Sequence, residues 1–252
     1  MKIAALGRNR HSRRALAAVL AAGAGLTLAA CGPGVATPVP EPPTLQLGKI
    51  GGPSGGQPNV TSVGGRTLFG DIGAAPAGSV VRVTNLDRKD PVVVSSAKAD
   101  GSFNLGLEVL DGEELRFDWV RGTERGAPQD AHFVQGPRLD VYHVEPSRRF
   151  SCVGLSPGFA VGFDGGNEQS LVVSNGCASD ITLSAPRLRL GLADFKLVTQ
   201  LPASIAAGQS GTLDLSFTRS LNGAREDTLF IDVTSEGEVI RYPVTLHAAI
   251  AP

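Results

Sequence analysis

Aromatic residues are scarce in this chain of 252 residues, which has one Trp, two Tyr and ten Phe. Glycan-binding surfaces tend to use a strip of exposed rings, and so few Trp and Tyr side chains argue against such a platform. Trp119 stands between apolar neighbours in a predicted strand, which favours a core position over a surface one. We predict core positions for Trp119, Phe69, Phe103, Phe195 and Phe217.

Histidine is also rare, and its spacing argues against zinc. His132, His143 and His247 lie far apart and form no i, i+4 pair, whereas zinc ligands usually cluster locally. Acidic residues gather around predicted loops and one predicted exposed strand face, at Asp87, Asp90, Asp111, Glu113, Glu114 and Asp118. Calcium takes such oxygen ligands, but no regular D-x-D-x-D loop is present, and solvated turns account for these residues. We therefore predict no metal, no cofactor and no enzymatic activity, with a metal-dependent envelope hydrolase as an alternative.

Acidic residues are absent from the first 30 positions, which hold five of the 23 basic residues and none of the 24 acidic ones. The following run from Ala15 to Ala30 is apolar but shorter than the roughly 20 strongly apolar residues that a spanning helix needs. A basic start followed by such a run predicts a cleaved signal peptide. Removing it leaves a formal charge of −6, and an acidic chain without a basic cluster is poorly suited to phosphate, which argues against nucleic acid as a partner.

The apolar run ends in Leu28-Ala29-Ala30-Cys31, which resembles the lipobox of bacterial lipoproteins. The resemblance implies that residues 1–30 are removed and that Cys31 becomes the lipid-bearing N-terminus, so the membrane is a partner through this lipid. Gly32 stands where an Asp commonly retains such proteins at the inner membrane, which favours the outer membrane. Arg13 and Arg14 also partly resemble a twin-arginine signal, and the export route stays open.

Two cysteines remain once Cys31 is assigned. In an oxidising compartment an isolated pair such as Cys152 and Cys177 predicts a disulfide, with two free thiols as the alternative. No histidine lies near either cysteine in sequence and no four-ligand spacing appears, so a metal site is disfavoured.

Residues 31–65 are rich first in proline and then in glycine. Proline-rich segments favour extended conformations and glycine-rich segments form flexible coil. We predict a stalk over 31–65 that buries nothing and separates the folded part from the membrane.

Beyond the stalk, short runs of β-branched residues alternate with turn residues at intervals of about ten, a pattern typical of all-β proteins. The candidate strands of the first domain are Thr67–Phe69, Ser79–Thr84, Pro91–Ser95, Ser102–Leu107 and Glu113–Val120. In the second domain apolar residues alternate with polar ones, so each strand is expected to bury one face; they are Leu171, Val173, Leu213, Leu215, Phe217, Leu229, Ile231 and Val233. The sequence predicts an all-β protein.

Turn motifs in the first domain resemble those of bacterial immunoglobulin-like repeats and, equally, of carboxypeptidase-regulatory-like sandwiches; they are Val83-Thr84-Asn85, Ala99-Asp100-Gly101-Ser102-Phe103 and Asp111-Gly112-Glu113. The second domain resembles the ASPM-SPD-2-Hydin and choice-of-anchor family of immunoglobulin-like domains. The segments that carry this resemblance are 158–162, 170–176, 202–210, 213–218, 228–233 and 242–246. The two resemblances imply immunoglobulin-like β-sandwiches over 66–145 and 146–252, used for recognition or spacing and without catalytic residues.

These features together predict a lipid-anchored envelope protein that acts as a binding or structural module, docking another envelope protein or serving as a spacer. An accessory lipoprotein that binds polysaccharide or peptidoglycan is the alternative. A connector over 136–147 is expected to hold the domains end to end, which would expose hairpin-like loops of the second domain over 222–227 and 235–238. We therefore predict that Arg225, Glu226 and Glu236 contribute to partner binding.

Overall fold

The computed structural model describes residues 43–52, 65–136, 141–164, 166–219 and 226–248. Nineteen β-strands and one short 3₁₀ turn make up its regular structure, which confirms the all-β prediction. The described residues belong to one compact unit. Their buried apolar side chains form two clusters, one over residues 45–144 and the other over 161–248. We call residues 43–146 the first half and residues 147–248 the second half.

Three assignments of the sequence analysis lie outside the described ranges: the signal peptide over 1–30, the lipidated Cys31 and the charged Arg225. Within those ranges no helix has the length and apolar character needed to cross a membrane.

The first half folds as a single nine-stranded sheet. A 3₁₀ turn at Leu47–Lys49 precedes strands β1 (Ile50–Gly51), β2 (Gly65–Gly70), β3 (Val80–Asn85), β4 (Val93–Ser96), β5 (Phe103–Glu108), β6 (Glu114–Arg121), β7 (Glu124–Arg125), β8 (Gln129–Gln135) and β9 (Tyr142–Pro146). Their order is β4-β3-β6-β8-β9-β1-β2-β5, with β7 beside β6. The end strands meet where the Ser95 hydroxyl donates to the Asn104 carbonyl oxygen at 2.5 Å. The sheet is thus nearly barrel-shaped, in place of the two-sheet sandwich expected here.

Apolar side chains alternate with polar ones along the strands, and the apolar ones fill the inside of this sheet. Leu115, Phe117 and Trp119 of β6 are all fully buried, and the Trp119 indole N–H donates to the Pro43 carbonyl oxygen at 2.8 Å. The core predictions for Trp119 and Phe103 are therefore confirmed. The prediction for Phe69 is wrong, because strand parity turns the fully buried Leu68 inward and leaves Phe69 partly exposed.

Part of the predicted stalk belongs to the fold. Leu45 and Ile50 are 2% and 3% exposed and pack in the core of the first half. Gly51 pairs with both Phe69 and His143, which places β1 between β2 and β9. The prediction that 31–65 buries nothing is therefore wrong for residues 43–52, because its few aliphatic side chains suffice to dock it. Residues 53–64 lie outside the described ranges.

The predicted connector over 136–147 also proves to contain a strand. Tyr142 and Val144 are buried, and β9 pairs along its length with β8. Pro146 is the last residue of β9, where a missing N–H is tolerated. The two prolines of this segment hide its strand pattern, and the sequence analysis missed β8 as well.

The second half consists of two sheets around a shared core. Its strands are β10 (Val153–Ser156), β11 (Ala160–Gly162), β12 (Glu168–Asn175), β13 (Ile181–Leu183), β14 (Arg187–Leu188), β15 (Phe195–Leu197), β16 (Ser204–Ile205), β17 (Ser210–Phe217), β18 (Glu226–Ser235) and β19 (Glu238–His247). The smaller sheet has the order β10-β12-β17-β15, and the larger has β11-β19-β18-β13-β16 with β14 beside β18. Side chains of both sheets interleave, among them the predicted core residues Phe195 and Phe217, whose ring centroids are 5.2 Å apart.

A disulfide joins Cys152 and Cys177, as the cysteine count predicts. The two residues flank β10 and β12, which pair antiparallel from Val153 opposite Asn175 onward. The Gly176 N–H also donates to the Cys152 carbonyl oxygen at 2.7 Å. The bridge therefore fastens an end strand of the smaller sheet to its neighbour.

Candidate functional site: the junction between the halves

Charged side chains on the outer face of β6 are buried, although strand alternation predicts that they face water. Glu114, Arg116 and Asp118 are 5%, 2% and 4% exposed. The second half covers them with the outer face of β18 and β19, where Thr228 and Thr245 are likewise buried. The halves therefore lie side by side, and the predicted end-to-end arrangement is wrong. Facing charged residues, rather than a connector between loop ends, hold the halves together.

Arg116 is the central residue of this junction. Its guanidinium makes a bidentate pair with Asp130, with Nε to Oδ1 at 2.7 Å and Nη2 to Oδ2 at 2.9 Å. Nη1 donates to the Thr245 hydroxyl at 2.8 Å and to the Phe159 carbonyl oxygen at 3.3 Å, and Nη2 also donates to the Pro243 carbonyl oxygen. These contacts use all five N–H donors of the side chain. A buried charge is thus fully satisfied by acceptors from both halves.

Pro243 is suited to its place opposite Arg116. It stands inside β19, where a proline removes one N–H of the strand. The neighbouring strand β11 pairs with β19 only from Thr245 to His247, so the Pro243 position faces no partner strand on that side. Its carbonyl oxygen is consequently available to Arg116.

A second arginine, Arg189, holds a loop of the first half. Its Nη1 donates to the carbonyl oxygens of Asn85, Arg88 and Asp90, at 3.3, 2.6 and 3.1 Å. Burial lowers the pKa of Arg189, while the charge of Asp227 opposes this shift. Arg189 therefore holds the loop after β3 through its main-chain carbonyl oxygens, and these contacts do not depend on the side chains of the loop.

Four charged groups form a ring near the start of β18. Glu226 pairs with Arg82 through one carboxylate oxygen and with Arg125, at 2.8 Å, through the other. Asp118 closes the ring at 3.4 Å from Arg82 and 3.6 Å from Arg125. Burial raises the pKa of Asp118 to about 6; Arg82 and Arg116 oppose the shift and Glu226 adds to it. The protonation of this carboxyl therefore changes near neutral pH.

A cleft of about 600 Å³ opens between the halves beyond Glu114. Arg241 reaches across it to Asp87 at 2.7 Å, and Arg148 pairs with Glu238 at 2.6 Å over its rim. Its other lining groups include His132. Within the part of the chain that the structure describes, no three His, Cys, Asp or Glu side chains come together as a metal site.

The junction gives the molecule two distinct ends. The chain enters at Pro43, beside Trp119 near the end of β6. The cleft and the β18–β19 turn lie at the other end of β6, beside Gly112 and Glu114. The five residue steps from Glu114 to Trp119 span about 17 Å of extended strand.

Two of the predicted binding residues can be located. Glu226 does not lie in an exposed loop but in the charged ring at the junction, and its neighbour Asp227 is buried, accepting hydrogen bonds from the Leu190 and Leu192 N–H groups. The prediction of a free surface there is wrong. Glu236 does lie in an exposed two-residue turn, since Ser235 pairs with Glu238, and its φ is +53°.

Sequence reasoning missed Arg82, Arg116, Asp130 and Arg189 altogether. Charged residues on one face of a strand ordinarily indicate solvent, and the sequence of β6 fits that interpretation. A usable signal was nonetheless present: Glu114, Arg116 and Asp118 alternate in sign along one face. A face of mixed sign offers both charges for pairing with a second charged face, as here with Arg149, Arg241 and Glu226.

Comparisons with known proteins place the chain in no family. No protein-family model matches the sequence, and a search of curated proteins finds no similar sequence. Among solved structures, the VesB protease of Vibrio cholerae is similar with a TM-score of 0.35 at 10% identity, over 71% of this chain and 68% of that chain. A protein of unknown function from Porphyromonas gingivalis W83 has a TM-score of 0.29 at 14% identity, over 73% and 91% of the two chains. Alpha-2-macroglobulin of E. coli has a TM-score of 0.28 at 12% identity, over 73% of this chain and 16% of that chain. At these values the likenesses carry no argument about function.

Proposed function

We propose that this chain is a lipid-anchored envelope protein that works as a docking or spacing module and catalyses no reaction. The proposal rests on two features: the lipobox-like segment that ends in Cys31, and a fold in which the two halves form one compact unit. Its partner is another envelope protein. We also propose that the second half is an immunoglobulin-like domain, a proposal supported by its two sheets around one core and by the segments that resemble the ASPM-SPD-2-Hydin family.

The observation that carries this proposal is the junction centred on Arg116. A spacer or docking module has to keep its binding surface at a fixed place relative to its anchor. Here Arg116, Arg189 and Glu226 each bond across the halves, so the second half cannot swing freely on a linker. The chain enters at Pro43, twelve residues after Cys31, and the turn with Glu236 lies at the opposite end of the junction. A tether at one end and an exposed turn at the other suit a module that presents a surface to a partner.

The anchor is tested by labelling the full chain with radioactive palmitate in a bacterial host and partitioning it between detergent and water. We expect the label and the detergent-phase partition to be lost in Cys31→Ser and kept in Cys152→Ser, which breaks the disulfide but leaves the lipid site. Label that persists in Cys31→Ser would refute the anchor.

The docking role is tested by cross-linking in intact envelopes, followed by mass spectrometry of the products. We expect one recurrent envelope protein among the cross-linked partners of the wild type, and its loss when the junction is loosened by Arg116→Met. A partner set that is unchanged in this variant would show that the fixed arrangement of the halves plays no part in docking.

A further inference from the structure

The hairpin of β4 and β5 splits open along its length. Next to its turn the strands stay together: the Lys98 N–H donates to the Ser102 carbonyl oxygen at 2.8 Å, and Ser95 bonds Asn104. Along its whole length β4 pairs with β3, and β5 pairs with β2, so no ladder of main-chain hydrogen bonds joins β4 to β5. A groove of about 700 Å³ fills the split between 91–94 and 106–108.

Both walls of this groove are strand edges. β4 and β5 are the end strands of the nine-stranded sheet, so each has one edge that faces no strand in the described part of the chain. The Asn104 carbonyl points into the split, because it accepts from Ser95 across it. Alternate residues of a strand direct their N–H and C=O groups to the same side, so those of Gly106 also face the groove. The Glu108 carbonyl oxygen, at the end of this edge, accepts from the Asn85 side chain at 3.5 Å.

The groove has room for a side chain above Gly106. A Cβ placed on this glycine would meet no atom within 4 Å, and its φ is not in the left-handed region. The adjoining wall is aliphatic, with Pro91, Val92 and Val94, the last of them 59% exposed. An aliphatic side chain entering beside Gly106 would therefore be covered on more than one side.

The charges at the groove favour a cationic ligand. Its lining includes the carboxylates of Asp90 and Glu108 and a single cation, Arg66. Arg66 is already engaged, donating to the Gly65 carbonyl oxygen at 3.0 Å and to the Gln135 side-chain oxygen at 3.4 Å. Glu108 is 61% exposed in its side chain and makes a long ion pair with Arg88 at 3.9 Å, which leaves its carboxylate open to a second cation.

The groove is also continuous with the junction. Asp90, Pro91 and Val92 line both the groove and a small cavity of about 250 Å³ between the halves. Arg189 of the second half holds the Asp90 carbonyl oxygen at 3.1 Å. The wall formed by these residues is therefore fixed by the second half and does not depend on β4 alone.

We infer that this split receives an extended segment of a partner protein, which adds as a strand to the free edge of β5. The segment places an aliphatic side chain above Gly106 and a Lys or Arg side chain near Asp90 and Glu108. Strand addition of this kind takes its affinity from main-chain hydrogen bonds and its specificity from alternate side chains. The inference rests on the proposed docking role only in taking the partner to be an envelope protein.

The probe is a fluorescein-labelled peptide of sequence Thr-Val-Thr-Lys-Thr-Val-Thr-Lys-Thr, titrated by fluorescence anisotropy against the full-length protein in detergent. Its Val and Lys side chains share one face, as the Gly106 and Glu108 positions do on β5. We expect saturable binding that weakens at least tenfold when Gly106→Val fills the open space. Gly154→Val is the matched control, since it alters a strand glycine in β10, an end strand of the other half, and should change the Kd less than twofold. The same peptide with alternate amides N-methylated should not bind.

A charge test keeps the inference falsifiable if Gly106→Val fails to fold. The double variant Asp90→Lys, Glu108→Lys should lose the lysine peptide and gain the matching glutamate peptide. Absence of wild-type binding, equal weakening by Gly154→Val, or binding of the N-methylated peptide would each overturn the inference. Self-association of the wild type that is abolished by Gly106→Val would also overturn it, because a second copy of this chain would then occupy the groove. Peptide binding does not need the lipid. A wild-type protein that binds the peptide but takes up no palmitate label would therefore contradict only the proposed anchor.

Discussion

The guanidinium of Arg116 and the hydroxyl of Thr245 meet at 2.8 Å across the junction, 129 residues apart in the chain. The contact sets a buried cation of one half against the outer face of the other, with Asp130 balancing its charge. It makes the stability of each half depend on the other.

Replacing Arg116 by Met should lower the free energy of unfolding by about 3 kcal/mol, because the buried Asp130 loses its bidentate partner and keeps Arg149 as a cationic neighbour. Urea denaturation measures the change. The control is Arg121→Met, which removes an exposed pair with Glu124 and should cost no more than about 1 kcal/mol. Adding Asp130→Leu to Arg116→Met should recover part of the loss. A single variant as stable as the control would show that the junction contributes little.

Asp118 should make the protein less stable as the pH rises from about 4 to 7. Its pKa is about 6 in the folded protein, above the usual value of 3.8, so the folded state holds the proton more tightly than the unfolded state does. This contribution to stability is complete below pH 3.8 and is lost as the pH rises through 6. Asp118→Asn should therefore be more stable than the wild type at pH 7.5, by up to about 3 kcal/mol, and nearly equal to it at pH 4.

Asp100 provides a control whose contribution to stability changes with pH in the opposite direction. The backbone N–H and hydroxyl of Ser102 donate to its carboxylate and lower its pKa, so its contribution is lost as the pH falls through the folded value. Thermal melts of Asp118→Asn, Asp100→Asn and the wild type between pH 2.5 and 8 separate the two directions, since the Asp100 contribution changes only below pH 3.8. A difference between Asp118→Asn and the wild type that does not vary with pH would rule out the raised pKa.

Charge reversal at Glu226, the first residue of β18, should lower the stability more than charge reversal at Glu236, in the turn after β18. Glu226→Lys brings a third cation to Arg82 and Arg125, and we expect a loss of about 1–3 kcal/mol. Glu236→Lys changes an exposed turn and should stay within about 0.5 kcal/mol. If partner capture changes in Glu236→Lys while the melting temperature does not, the sequence-based prediction for Glu236 holds. A Glu226→Lys variant with wild-type stability would contradict the charged ring.

Replacing both Cys152 and Cys177 by Ser should lower the stability of the second half by about 3.5 kcal/mol, since the bridge closes a loop of 25 residues. Hydrogen exchange followed by mass spectrometry locates the effect, which should appear first in β10 and β12. Thiol labelling of the unfolded, unreduced wild type should find neither cysteine. Labelling of both would restore the alternative of two free thiols.

Local patterns predicted the strands well where one face is apolar. The candidate strands of the first half fall within two residues of β2 to β6, because alternation and Asp-Gly turns act within a few residues. The core positions of Leu171, Leu213 and Ile231 follow from the same alternation. These are properties that a strand and its nearest neighbours determine.

The arrangement of the sheets could not be predicted from local sequence patterns, for a physical reason. Whether β1 to β9 make one curved sheet or two flat ones depends on which strands pair across long stretches of chain, such as β2 with β5. The burial of Arg116 depends on a surface more than 100 residues away. Alternation shows that a face is polar, and it does not show whether water or another protein surface covers it.

The charged character of the junction has a consequence for how the chain is made. The first half is synthesised before the second, and domains generally fold as units in that order. A partner face built from aliphatic side chains would then be exposed and prone to aggregation until the second half had folded. Glu114, Arg116, Asp118 and Asp130 can instead be hydrated until β18 and β19 arrive, so the waiting half stays soluble and gives up bound water only when its own second half displaces it.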